Sequence, residues 1–87
     1  MKIQLNKNLV GLDGQEIENS HMGKLVASTL ASANKGDAAK FWHWSTKFYA
    51  GEEVELDPSD SETLRNFIKD SEQLTILSKA QILAEIK

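Results

Sequence analysis

The sequence predicts a mainly helical α+β fold, an N-terminal β-hairpin packed on three to four short helices. Three observations predict it. Apolar residues alternate with polar ones at the start and run into an Asp-Gly turn. From residue 22 onward the apolar positions recur at helical spacing. Residues that start and stop helices punctuate the remainder.

Ile3 and Leu5 alternate with Lys2, Gln4 and Asn6, the period of a strand with one buried face. Leu9, Val10 and Leu12 add an apolar patch, Asp13-Gly14 supplies a turn, and Ile17 returns to the apolar side, so a hairpin is expected over residues 2–17. Asn19-Ser20 offers an N-cap for a first helix whose stripe is Met22, Leu25, Val26, Leu30 and Ala33, with Thr29 alongside. Asn34-Lys35-Gly36 ends it, with Gly36 suited to a left-handed cap.

Asp37 caps a second helix, expected over 38–50, which holds five of the six aromatic residues. Ala38, Phe41, Trp42, Ser45, Phe48 and Tyr49 form one face of it, of which Phe41, Trp42, Phe48 and Tyr49 are expected to be core, while Trp44 falls off that stripe. Ala50-Gly51 closes the helix. Residues 52–56 read as a small edge strand with Val54 and Leu56 inward and Glu52, Glu53 and Glu55 outward, where their charges discourage pairing with another chain. Asp57-Pro58 and the capping box Ser59-x-x-Glu62 compete to start a third helix, near 59–71, buried through Leu64, Phe67 and Ile68. Leu74-Thr75-Ile76-Leu77 reads as extended. Ser78-Lys79-Ala80-Gln81 reads as a second capping box, opening a last helix with Ile82, Leu83 and Ile86.

Eighty-seven residues leave room for one domain, 1–87. The 40% hydrophobic and 26% charged composition suits a globular chain and argues against disorder. A net charge of −3 argues against a protein that coats DNA. No cysteine means no disulfide, thiol nucleophile or thiolate metal site, which fits a reducing cytoplasm. No apolar run approaches a membrane span, and the first residues lack the apolar block of a signal peptide, so a cytoplasmic location and no membrane contact are expected. Charge is uneven: residues 2–51 carry +2 and residues 52–87 carry −5.

Motifs for chemistry are sparse. His21 and His43 lie in different elements, too few for a zinc site, and no metal ligand set is assigned. Asp57-x-Ser59-x-Ser61 imitates a calcium loop but lacks its central glycine and its distal glutamate, where Ile68 stands. No nucleophile elbow, phosphate-cradling loop or dinucleotide fingerprint is present. No catalytic residue and no cofactor is therefore assigned.

The run from Lys40 to Tyr49 carries the sharpest functional expectation. Trp44, off the main stripe and flanked by Lys40 and Lys47, is expected to be partly exposed and to mark a contact surface, because exposed tryptophans concentrate at protein–protein hot spots. Glu52, Glu53 and Glu55 form an acidic segment that reads first as a solvated edge and, more sharply, as a contact for a basic partner. The rival function is a nucleic-acid-binding module that stacks bases on this helix and meets phosphates with Lys40 and Lys47. A small hydrolase or metal enzyme ranks last.

The order Lys2-Ile3-x-Leu5, Leu12-Asp13-Gly14-x-x-Ile17, Gly23-Lys24-Leu25 with Leu30 resembles the opening of small accessory proteins encoded by tailed bacteriophages and prophages. Tyr49-x-Gly51-Glu52-x-Val54-x-Leu56, Leu64-x-x-Phe67-Ile68, and Leu74-Thr75-Ile76 before Lys79-Ala80-Gln81-Ile82-Leu83 are similar to their later parts. Turns, caps and apolar stripes carry the likeness, so it implies a setting and no catalytic residues. That setting is particle assembly or interference with a host factor, through a protein partner or another copy of the chain, in the host cytoplasm.

Overall fold

The computed structural model describes residues 1–86. Its elements follow one another as β1 (Lys2–Ile3), β2 (Asn8–Val10), β3 (Glu16–His21), α1 (Met22–Ala31), α2 (Ala38–Tyr49), β4 (Val54–Glu55), α3 (Pro58–Asp70) and α4 (Ile76–Glu85). The fold is α+β and mainly helical. Two small antiparallel pairs accompany the helices: β1 with β4, and β2 with β3.

The hairpin is narrower than residues 2–17 and lies further along. Ile3 pairs with Val54 and Lys2 with Glu55, so the first strand joins a segment from the far side of both α1 and α2 in the sequence. Leu56 N–H donates to the carbonyl of Met1 (2.7 Å) and extends this pairing. The true hairpin is β2–β3, with Asn8 opposite His21 and Val10 opposite Glu16. Its register shifts between those two pairs. Ser20 bridges the irregularity: its hydroxyl accepts from Leu9 N–H at 3.0 Å and donates to the Ile17 carbonyl at 2.6 Å. Buried Ser20 thus serves strand geometry and not the helix cap expected of it.

His21 is the actual N-cap of α1. Its Nδ1 accepts from Lys24 N–H at 3.2 Å, so its Nε2 carries the proton and donates to Asn6 Oδ1 at 3.0 Å. The other free amides at that helix start are met by the crossing N-terminal segment: Met22 N–H donates to Lys7 O and Gly23 N–H to Leu5 O. Asp37 caps α2 as expected. Asp57 prevails over Ser59 at α3, accepting from Asp60 N–H at 2.7 Å with Pro58 in the first turn.

α4 starts earlier than expected. Thr75 caps it, accepting from Ser78 N–H, and Ile76-Leu77 are helical, not extended. Gln81 makes no capping box. It reaches the hairpin instead, accepting from Val10 N–H and donating to Val10 O, both at 2.8 Å.

One core unites these elements. Leu5, Val26, Leu30, Phe48, Leu56, Leu64, Ile68, Ile82 and Ile86 are its most enclosed side chains. Val54 and Leu56 point inward and Glu52, Glu53 and Glu55 outward, as the alternation predicts. α1 and α2 approach closely because Gly23 has no side chain: a Cβ there would collide with the carbonyl oxygen of Phe48. Gly36, at φ 113°, likewise makes room for the ring of Phe41.

Candidate functional site

The contact surface expected around Trp44 does not exist in that form. Trp44 is 3% exposed and belongs to the core, stacked on Phe41 with ring centroids 5.6 Å apart. Phe67 of α3 meets Phe41 edge-on at 5.3 Å, so a chain of three rings ties α2 to α3. The lysines around Trp44 are engaged within the molecule. Lys40 Nζ lies 2.7 Å from Asp60 Oδ1 on α3, and Lys47 lies 3.3 Å from Glu52. The hydrogen bond to Asp60, and then that carboxylate's charge, raise the pKa of Lys40 above its ordinary 10.5. Glu53 faces Lys2 at 4.0 Å, and Glu55 stands opposite Lys2 in the strand pair. Lys40, Lys47, Glu52 and Glu53 thus each face an intramolecular partner, and buried Trp44 joins none of them at the surface.

The opposite flank of α2 is open. Trp42 is 66% exposed and Tyr49 57%, although both were expected to be core. They border a groove of about 430 Å³ between α1 and α2, within the ~300–1,000 Å³ of ordinary ligand pockets. Small residues make the rest of its lining: Ala27, Ser28 and Ala31 from α1, Ser45 and Thr46 from α2. A second depression continues past Trp42 toward Ala33, Lys35 and Gly36. The helix spacing explains the arrangement. Gly23 lets the helices touch at one end, and the short side chains beyond it leave the seam shallow instead of filled.

The groove and the depression beside it have no carboxylate in their lining, although Asp37 stands between Gly36 and Ala38 at the depression's end. Neither α1 nor α2 contains a carboxylate. Lys24 sits over the Tyr49 ring, 5.3 Å from its centroid. Among the described residues Lys24 and Lys35 form no ion pair, whereas Lys40 and Lys47 do. The free cations nearest the exposed rings are therefore Lys24 and Lys35, which sequence reasoning did not single out. The available signal was the absence of acids from two consecutive helices.

The groove's lining has hydroxyls but no carboxylate, histidine or amine. Among the described residues no cluster of three His, Asp or Glu side chains is placed to hold a metal ion, and no helix is long and apolar enough to cross a membrane. Compared with known proteins, the chain matches no family model, no curated protein and no solved structure.

Proposed function

We propose that this protein is a non-enzymatic binding module that takes an apolar segment of a protein partner into the α1/α2 groove. The observation that carries this reading is the pair Trp42 and Tyr49, both largely solvent-exposed on the border of a groove of small residues. They are seven positions apart, about 10 Å along the helix, which suits them to grip two points of one bound segment. Tryptophan and tyrosine bury much area at little entropic cost, which is why they dominate hot spots. The setting remains the one the resemblance implies, an accessory protein of a tailed phage or prophage that acts in particle assembly or on a host factor.

One observation favours a second reading. Lys24 over Tyr49, with Lys35 beyond Trp42, offers ring faces and unpaired cations to a single-stranded nucleic acid. Against it stand the net charge of −3 and the groove's lining, which has no cation to meet a phosphate.

Trp42 emission tests the choice, read in a Trp44→Phe variant that leaves one tryptophan. Titration with an acidic, leucine-bearing amphipathic peptide is expected to shift the emission to the blue. Quenching by an oligothymidylate that fades steeply with salt, with no response to the peptide, overturns the protein-partner reading.

A further inference from the structure

The groove has a complement on the same molecule. The β2–β3 hairpin ends in a turn whose Leu12 is 102% exposed, with Val10 and Ile17 exposed beside it. Residues 8–20 contain Asp13, Glu16 and Glu18 and no lysine or arginine. This tip is held in shape. Gly14 N–H donates to Gly11 O, Gly11 N–H to Gln15 O, and Gln15 N–H to Asp13 Oδ1, all within 3.0 Å. Gln81 clamps its base to α4 through Val10.

Taking the groove as a protein-docking site, we infer that its occupant is the hairpin tip of a second copy, so that the chain assembles head to tail. An apolar knob with acids and no bases fits an apolar groove that has no acid in its lining and Lys24 and Lys35 at its flanks. Both surfaces are exposed in one copy, so neither covers the other. Charge also rejects the symmetric alternatives. Groove against groove brings Lys24 and Lys35 of two copies together, and tip against tip brings the acids together. The unlike pairing satisfies both surfaces. A preformed tip also loses little freedom on docking. Because knob and groove are different patches, each added copy presents a fresh one of each, and the assembly grows into a ring or an open filament.

The small contact makes this a weak association, best seen at roughly millimolar chain by sedimentation equilibrium. Wild-type protein is expected to show an average mass that climbs past the dimer with concentration and falls as salt is raised. Leu12→Asp removes the knob and Trp42→Ala the groove border, and both positions are exposed, so both variants are expected to fold. Each alone should be monomeric. Mixed in equal amounts they should form a one-to-one dimer that grows no further, since the mixture holds one intact knob and one intact groove per pair. Two monomeric variants that fail to pair, or a Leu12→Asp chain that still assembles, overturn the inference. A monomeric wild type that nonetheless takes up the acidic peptide also overturns it, while leaving the groove's role as a protein site standing.

Discussion

Gln81 stands beside Val10 as a neighbouring strand would: its side-chain amide accepts from the Val10 N–H and donates to the Val10 carbonyl, each at 2.8 Å. A β-strand edge carries unpaired backbone groups that invite other chains to add on. Here one glutamine from α4 occupies that edge and joins the hairpin to the last helix.

Gln81→Ala is expected to lower stability by about 1 kcal/mol, since exposed hydrogen bonds contribute at the low end of their range. For a domain of this size that is a fall in Tm of roughly 4–8 °C. Gln81→Glu, nearly the same shape, should lose as much, because a carboxylate cannot donate to the Val10 carbonyl. Amide exchange at Val10 should quicken in both variants, and unchanged exchange there would contradict the pairing.

Gly23→Ala should destabilise, although alanine normally improves a helix by up to about 1 kcal/mol over glycine. The new methyl meets the Phe48 carbonyl and forces α1 and α2 apart. A loss of about 1–3 kcal/mol in urea unfolding is expected, the usual cost of overpacking.

His21→Ala removes the cap of α1 and should cost about 1 kcal/mol. His21→Asn retains an acceptor and should recover most of it. Thermal melts of the two variants separate a capping role from mere bulk, for alanine and asparagine would otherwise behave alike.

The two tryptophans should respond oppositely to truncation. Trp44→Ala empties a core site and is expected to cost about 3–5 kcal/mol. Trp42→Ala alters an exposed position and should stay within about 0.5 kcal/mol of wild type. Acrylamide should quench Trp42 readily and Trp44 poorly, a contrast measurable in the corresponding single-tryptophan variants.

Lys40 sets a pH dependence at the alkaline end. Its pKa is higher in the folded chain, so the folded state holds that proton more tightly than the unfolded one. The stabilisation is complete below the ordinary value of 10.5 and is lost as pH climbs through the raised one. The difference in Tm between wild type and Asp60→Asn should therefore be flat from roughly pH 7 to 9 and shrink only above about pH 10.5. A difference that disappears near neutrality would mean another group carries it.

Local signals were legible wherever a residue acts on its own backbone. Asp37 and Asp57 are short acceptors ahead of helices and cap them; Gly14 and Gly51 take the positive φ that ends a turn or helix, whereas α1 stops earlier, at Ala31, and Gly36 with its positive φ bends the loop before α2. The errors occur where a partner distant in sequence decides. Ser20 looked like a cap and instead relays a hydrogen bond across the bulge, because Leu9 arrives beside it. Gln81 looked like part of a capping box, but Val10 offered it two backbone groups. Ile3 looked like half of a hairpin, but Val54 was the better-placed strand.

By itself the sequence determined that α2 has a buried spine of Phe41, Ser45 and Phe48, since residues at that spacing share one face whatever surrounds them. Read from the sequence, the Trp42 and Tyr49 flank turns inward and Trp44 outward, the reverse of what the fold does, because both flanks are aromatic and periodicity does not rank them. The tertiary structure decided. α3 comes up on the Trp44 side, placing Phe67 on Phe41 and Asp60 on Lys40. Along the other flank α1 offers Ala27, Ser28 and Ala31, too short to cover Trp42, and only Lys24 lies over Tyr49. Burial depends on what lies opposite, and periodicity within one helix carries no information about its neighbour.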